Sequence, residues 1–278
     1  MSNPEIGRTV ECGPVLTNYH DVGAGAPVLL LHGSGPGVSA WANWRLVLQG
    51  LQDRFRLLAP DLAGFGYSQA PADMVHTRQT WLDQIVRFMD KVGLERAHVV
   101  GNSFGGSMAL ALAIAHPDRV DRLALMGSVG VPFELTPGLE AVWGYEPSFE
   151  NMQAIMRIFA YDQKLVGDPL VQMRYEASKR AGVQEAYARM FPAPRQRWVE
   201  AMSHPEAQIR ALRHETLLVH GRDDQVIPLS TSLTMLQWIQ NSQLHVFGRC
   251  GHWTQIEHAE AFQALLADFF QAPRRGAA

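Results

Sequence analysis

The sequence predicts an α/β fold, a mostly parallel central sheet flanked by helices, with a helical segment inserted in the second half. Two observations carry this. Over the first half, short apolar runs bounded by turn residues alternate with apolar residues at helical spacing, the pattern of a sheet buried on both faces. From Pro137 to about Gln208 the alternation stops, because helical pieces with scattered aromatic and methionine residues offer no β-branched run; it resumes near Glu215.

In chain order, residues 28–31, 56–59, 98–100 and 122–126 are the strand candidates of the first half. Between them Trp81, Ile85, Phe88 and Met89 recur at helical spacing and stop before Gly93, a helix terminator. A second helix is expected over 108–115, ended by Pro117. Beyond the insertion, a strand over 215–220, a helix over 230–239, a strand over 243–247 and a helix around 259–270 complete the pattern. The expected division is a core of residues 1–132 and 209–278 and a helical lid of residues 133–208, with a Pro/Arg/Gly/Ala tail that frays.

With 278 residues, 47% hydrophobic, the chain can bury a large core. A net charge of −3 and no Lys/Arg block give nucleic acid no footing. The first eight residues lack a signal peptide's apolar stretch, and no run approaches the ~20 apolar residues of a membrane span, so a soluble cytoplasmic protein is expected. Cys12 and Cys250 are too few for a disulfide framework and are expected to be reduced. No cluster has metal-ligand spacing, and neither metal nor other cofactor is expected.

The chemistry centres on Gly101-Asn102-Ser103-Phe104-Gly105. A serine on a tight strand-to-helix turn projects its Oγ toward substrate, and Gly105 and Gly106 let helix and strand approach closely. The plainer alternative is a capping serine in a Gly-rich turn. A serine nucleophile needs a base, and His252, just after the last strand, is preferred among the 11 histidines; His32 is its main competitor. The imidazole needs a carboxylate, and Asp224 is preferred over Asp223 because Val226, Ile227 and Pro228 follow it. Two backbone N–H groups should stabilise the oxyanion, those of Phe104 and of Ser34 in His32-Gly33-Ser34-Gly35-Pro36-Gly37. That loop lacks the Lys-Ser/Thr ending of a phosphate loop.

Serine, aspartate and histidine in this chain order match the α/β hydrolases. Over nearly its whole length the chain resembles the meta-cleavage product hydrolases within that superfamily. The resemblance is carried by LTNYHDVG (16–23), HGSGPGVSAWANW (32–44), APDLAGFGYS (59–68), VGNSFGG (100–106), AVWGY (141–145), RYEAS (174–178), MFPAPRQRW (190–198) and HVFGRCGHWTQIEH (245–258). It implies an α/β-hydrolase fold and cleavage of 2-hydroxy-6-oxohexa-2,4-dienoates to 2-hydroxypenta-2,4-dienoate and a carboxylic acid. Self-association into a homo-oligomer is also implied. So is Arg174 pairing with the substrate carboxylate or 2-oxygen, with Asn43 and Asn102 hydrogen-bonding nearby.

Trp253, Trp143 and Phe104 are candidates for an apolar wall, and Val129, Leu139, Trp143, Val199 and Ile227 for contact with the C6 substituent. Because Val129, Val199 and Ile227 are β-branched, a hydrogen, methyl or short alkyl substituent is expected over phenyl. The competing readings are a 6-phenyl substrate, a carboxylesterase on the same triad, which would not need Arg174, Asn43 and Asn102, and a receptor-like hydrolase fold that binds without turnover.

Overall fold

Strands that are apolar on both faces build the middle of the sheet. The computed structural model describes residues 3–273. Among these residues eight strands run in chain order as β1 Arg8–Cys12, β2 Val15–Val22, β3 Pro27–Leu31, β4 Arg56–Pro60, β5 Ala97–Asn102, β6 Val120–Met126, β7 Thr216–Gly221 and β8 Ser242–Phe247. They form one sheet in the order β1-β2-β4-β3-β5-β6-β7-β8. β2 is antiparallel to β1 and β4, and the strands from β4 to β8 in that order pair in parallel.

Helices α1 Ala40–Leu51, α2 Arg78–Lys91 and α3 Phe104–Ala115 belong to the first half. Between β6 and β7 lie α4 Pro137–Trp143, α5 Phe149–Phe159, α6 Asp168–Ser178, α7 Val183–Met190, α8 Gln196–Met202 and α9 Glu206–Arg210. α10 Ser230–Trp238, α11 Thr254–Glu257 and α12 Ala259–Gln271 follow.

The period-2 pleat sends alternate residues to opposite cores. Val28, Leu30, Leu57 and Val100 pack with Trp44 and Val47 of α1 and Phe262 and Leu266 of α12. Leu29, Leu31, Leu58 and Val99 pack with Ile85 and Phe88 of α2 and Met108 of α3. The sheet therefore carries helices on both faces, with the helical insertion between its sixth and seventh strands.

Each strand expected from the apolar runs forms, to within two residues at either end. β1, β2 and α1 were not expected. β1 and β2 form an antiparallel hairpin in which polar Thr17, Asn18 and His20 are buried, so no apolar run marks it. Gly13 turns it at φ 67°. α1 carries a local start signal instead, since Ser39 accepts from the Ala42 N–H at 3.1 Å as its N-cap. Residues 274–278, most of the tail expected to fray, lie outside the described residues. Among those described, no helix is long and apolar enough to cross a membrane. Both cysteines are free and buried.

Candidate active site

β5 ends at Asn102 and α3 begins at Phe104, so Ser103 must reverse the chain within a single residue. It does so at φ 54°, ψ −116°, a strained conformation for a residue with a Cβ. Its backbone is tied on both sides: Ser103 N–H donates to Met126 O at 2.9 Å, while Ser103 O accepts from Gly106 N–H at 2.9 Å and Val129 N–H at 3.1 Å. The close approach is possible because a Cβ at Gly105 would stand 2.2 Å from Leu31 O. The Ser103 hydroxyl makes no capping bond to α3, so the plainer reading of the turn fails.

His252 and Asp224 lie on loops following β8 and β7. His252 Nδ1 is 2.7 Å from Asp224 Oδ2, and both side chains are buried. The opposite oxygen, Asp224 Oδ1, accepts from Val226 N–H at 2.7 Å and Ile227 N–H at 3.0 Å. Burial by itself would raise the Asp224 pKa, but His252, His220 and the Ile227 N–H outweigh it and hold the carboxylate below its ordinary range. Asp223 instead faces Arg222 at 3.3 Å and accepts from the Cys250 N–H. His32 is unsuited as a base: its Nδ1 faces Gly33 O at 2.8 Å and its Nε2 accepts from Leu62 N–H at 2.9 Å. Burial lowers its pKa to about 4.

The insertion grips the histidine loop. His252 N–H donates to Phe159 O at 2.7 Å, and the Phe159 ring stacks on His252 at 5.7 Å and Trp253 at 5.3 Å. Glu257 accepts from Gly251 N–H at 2.7 Å and, through its other oxygen, from the Tyr161 and Asp162 N–H groups.

Ser103 and His252 open onto a cavity of about 400 Å³. Ser34 also lines it, pinned by Trp143 Nε1, which donates to Ser34 Oγ at 3.0 Å, and by the Tyr187 hydroxyl at 3.0 Å from Ser34 O. Phe104 starts α3, where a first-turn N–H has no intrahelical acceptor. Its ring does not line the cavity; it packs on Trp81 at 4.7 Å and on Phe65.

The polar lining follows α1. Asn43 Oδ1 accepts from Gly33 N–H at 3.1 Å and Asn102 Nδ2 at 2.9 Å. Arg174, on α6, donates from Nη2 to Gly37 O, and its Nη1 is 3.6 Å from Glu5 Oε1. Four buried polar atoms of these lining residues, Arg174 Nη1, Asn43 Nδ2, Asn102 Oδ1 and Gln255 Oε1, have no hydrogen-bond partner among the described residues. Each such orphan costs ~1–3 kcal/mol, so their gathering in one cavity marks a place for a polar ligand.

The apolar lining comes from Leu139 and Val142 of α4, Met152, Ile155, Met156 and Phe159 of α5, and Val226 and Trp253. Val129, Trp143, Val199 and Ile227, expected on this wall, are not among the lining residues. They are buried elsewhere: Val129 contributes its N–H to Ser103 O, Trp143 stacks on Phe191 at 4.5 Å, and Ile227 gives its N–H to Asp224. The steric case for a small C6 group therefore cannot rest on those β-branched residues. Glu5, Arg45 and Gln255 line the cavity and were not singled out from the sequence. Gln255 had a signal in its position three residues after His252; Glu5 had none.

Fold and site define the class, a serine hydrolase built on the α/β-hydrolase fold. The family model described as alpha/beta hydrolase fold matches residues 26–259. The chain is 58% identical over 269 residues to the 2-hydroxymuconate semialdehyde hydrolase of Pseudomonas sp. (strain CF600), covering 97% of this chain and 95% of that one. It is 57% identical over 270 residues to the 2-hydroxy-6-oxo-2,4-heptadienoate hydrolase of Pseudomonas putida F1, covering 97% and 98%. The meta-cleavage product hydrolase CumD from Pseudomonas fluorescens IP01, solved as a serine-to-alanine variant with acetates, superposes with a TM-score of 0.95 at 53% identity, covering 96% of this chain and 98% of that one. The chain belongs to the meta-cleavage product hydrolases, which hydrolyse carbon–carbon bonds.

Proposed function

We propose that this chain hydrolyses the C5–C6 bond of 2-hydroxy-6-oxohexa-2,4-dienoates carrying hydrogen or methyl at C6, releasing 2-hydroxypenta-2,4-dienoate and formate or acetate. The carrying observation is that Ser103, His252 and four orphaned polar atoms belong to residues lining one cavity. An ester needs only the serine site. A 2-hydroxy acid also needs donors for its carboxylate and an acceptor for its hydroxyl, which Arg174, Asn43 and Asn102 supply. The small substituent is supported by the names of the relatives at 57–58% identity.

Carbon is a poor leaving group, so the dienol must first become a ketone. The 2-hydroxyl proton moves to C5 by way of His252, leaving a 2,6-diketone. His252 then takes the Ser103 hydroxyl proton as Oγ attacks C6, and the Ser34 and Phe104 N–H groups receive the oxyanion. When C5–C6 breaks, its electron pair runs through C4 and C3 to the 2-oxygen, which takes the proton held by His252, and the fragment leaves as the dienol with His252 neutral again. Water, activated by His252, releases the acid from Ser103. Asp224 keeps the His252 proton on Nδ1, so that Nε2 is the basic nitrogen.

Loss of the visible absorbance of 2-hydroxymuconate semialdehyde and of 2-hydroxy-6-oxohepta-2,4-dienoate tests the reading. Ser103→Ala should bind both without fission; wild-type turnover in that variant overturns the assignment. Hydrolysis of a simple ester with no dienoate fission would mark a carboxylesterase, and tight binding with no turnover a receptor. We further propose a cytoplasmic location, from the sequence's lack of a signal-peptide stretch or membrane-span run, and, from the family resemblance, a homo-oligomer; cell fractionation and light scattering check the two.

A further inference from the structure

The segment before β1 carries an acid into the cavity. Gly7 N–H donates to Asn18 Oδ1 at 2.8 Å, and Asn18 Nδ2 donates to Glu5 O at 3.0 Å and to Asp61 Oδ2 at 2.8 Å. The Glu5 side chain is 11% exposed and lines the cavity. Its Oε2 accepts from the Ser39 hydroxyl at 2.6 Å, and Ser39 is itself held as the N-cap of α1. Its Oε1 lies 3.6 Å from Arg174 Nη1, close enough for charge attraction and too far for a hydrogen bond. Glu5 thus compensates a buried guanidinium while leaving its Nη1 without a hydrogen-bond partner among the described residues. With Arg45 also lining the cavity, this side carries two cations and one fixed anion among the described residues.

We propose that Glu5 is the resident counterion of Arg174 and sets the charge selectivity of the carboxylate subsite. Any carboxylate that takes the unbonded Nη1–H meets a net charge of one; removing Glu5 raises it to two, a gain twice as large for a doubly charged head as for a singly charged one. This rests on Arg174 receiving the substrate carboxylate.

The test compares Glu5→Gln, Glu5→Asp and Arg174→Gln with the wild type. The readouts are KM and kcat for 2-hydroxy-6-oxohepta-2,4-dienoate, and inhibition at pH 7.5 by acetate, with one charge, and malonate, with two. For Glu5→Gln the effect should fall on KM and the inhibition constants more than on kcat, and the malonate-to-acetate preference should rise by about tenfold. Glu5→Asp, which keeps the charge, should retain the wild-type preference and serves if the glutamine variant does not fold. An unchanged preference in Glu5→Gln, or one altered equally in Glu5→Asp, overturns the proposal for Glu5 alone. If Arg174→Gln also leaves KM and both inhibition constants unchanged, the carboxylate subsite itself falls.

Discussion

His252 Nδ1 stands 2.7 Å from Asp224 Oδ2, while the other oxygen of the same carboxylate is fixed by the N–H groups of Val226 and Ile227. The two sets of bonds divide the work. In the proposed reaction the backbone donors orient the carboxylate, and Oδ2 sets which ring nitrogen of His252 carries the proton. His220 Nε2 also lies 3.5 Å from Asp224 Oδ2 while facing Ile227 O at 3.0 Å.

Asp224→Asn should expose this division. Two N–H donors hold the amide oxygen where Oδ1 was, so the amide NH2 must face Nδ1. His252 then carries its proton on Nε2 and cannot deprotonate Ser103. We expect kcat/KM to fall by about 10³–10⁴-fold, with circular dichroism unchanged. A loss below tenfold would remove Asp224 from the triad.

Arg174→Gln should act on recognition of the acid. It deletes a buried cation and leaves Glu5 without its counterion, so KM for the dienoate should rise by roughly 30-fold or more. Hydrolysis of p-nitrophenyl acetate, which has no carboxylate to pair, should change little. Equal losses on both substrates would mean a folding defect, and a melting curve separates the two.

Ile155→Ala and Met156→Ala each remove three heavy atoms from the α5 wall and so enlarge the cavity. Each should raise kcat/KM for the 6-phenyl substrate relative to the 6-methyl one by at least about tenfold, the low end of the effect of one methylene in an apolar pocket. A ratio unchanged in both variants would show that the C6 group lies elsewhere.

The pH dependence of stability has a definite sign. Burial lowers His32 and His204 to about 4, helped at His204 by the charge of Arg78. Both folded values lie below the unfolded value of 6.5, so the unfolded chain takes up protons first. Their stabilisation is complete above that pH and is lost as pH falls toward 4, by about 3 kcal/mol for each histidine. Asp61, which burial pushes up to about 6 against three hydrogen bonds, returns part of this between pH 6 and 4. Melting temperature should be level above pH 6.5 and decline below it. His204→Gln, which can still donate to Ser107 O, should decline less steeply; an identical slope would refute the assignment.

What the sequence by itself determined is local. Ser103 is legible because a serine between Asn102 and Phe104, with glycines at 101, 105 and 106, fits a tight strand-to-helix turn, and the parallel strands are legible because burial on both faces demands apolar runs. Family resemblance added Arg174, Asn43 and Asn102, whose types alone suggest surface residues. The tertiary structure decided the rest. Glu5, Gln255, Met152 and Ile155 share a cavity only because the β1–β2 hairpin, the histidine loop and the inserted helices pack together, and Val129 and Ile227 turn out to serve through their backbone N–H groups. Spacing along a chain specifies which side of a helix or strand a residue takes. Whether that side meets solvent, core or cavity depends on elements remote in sequence, and a buried polar atom is revealed as a binding group only when packing leaves it without a partner.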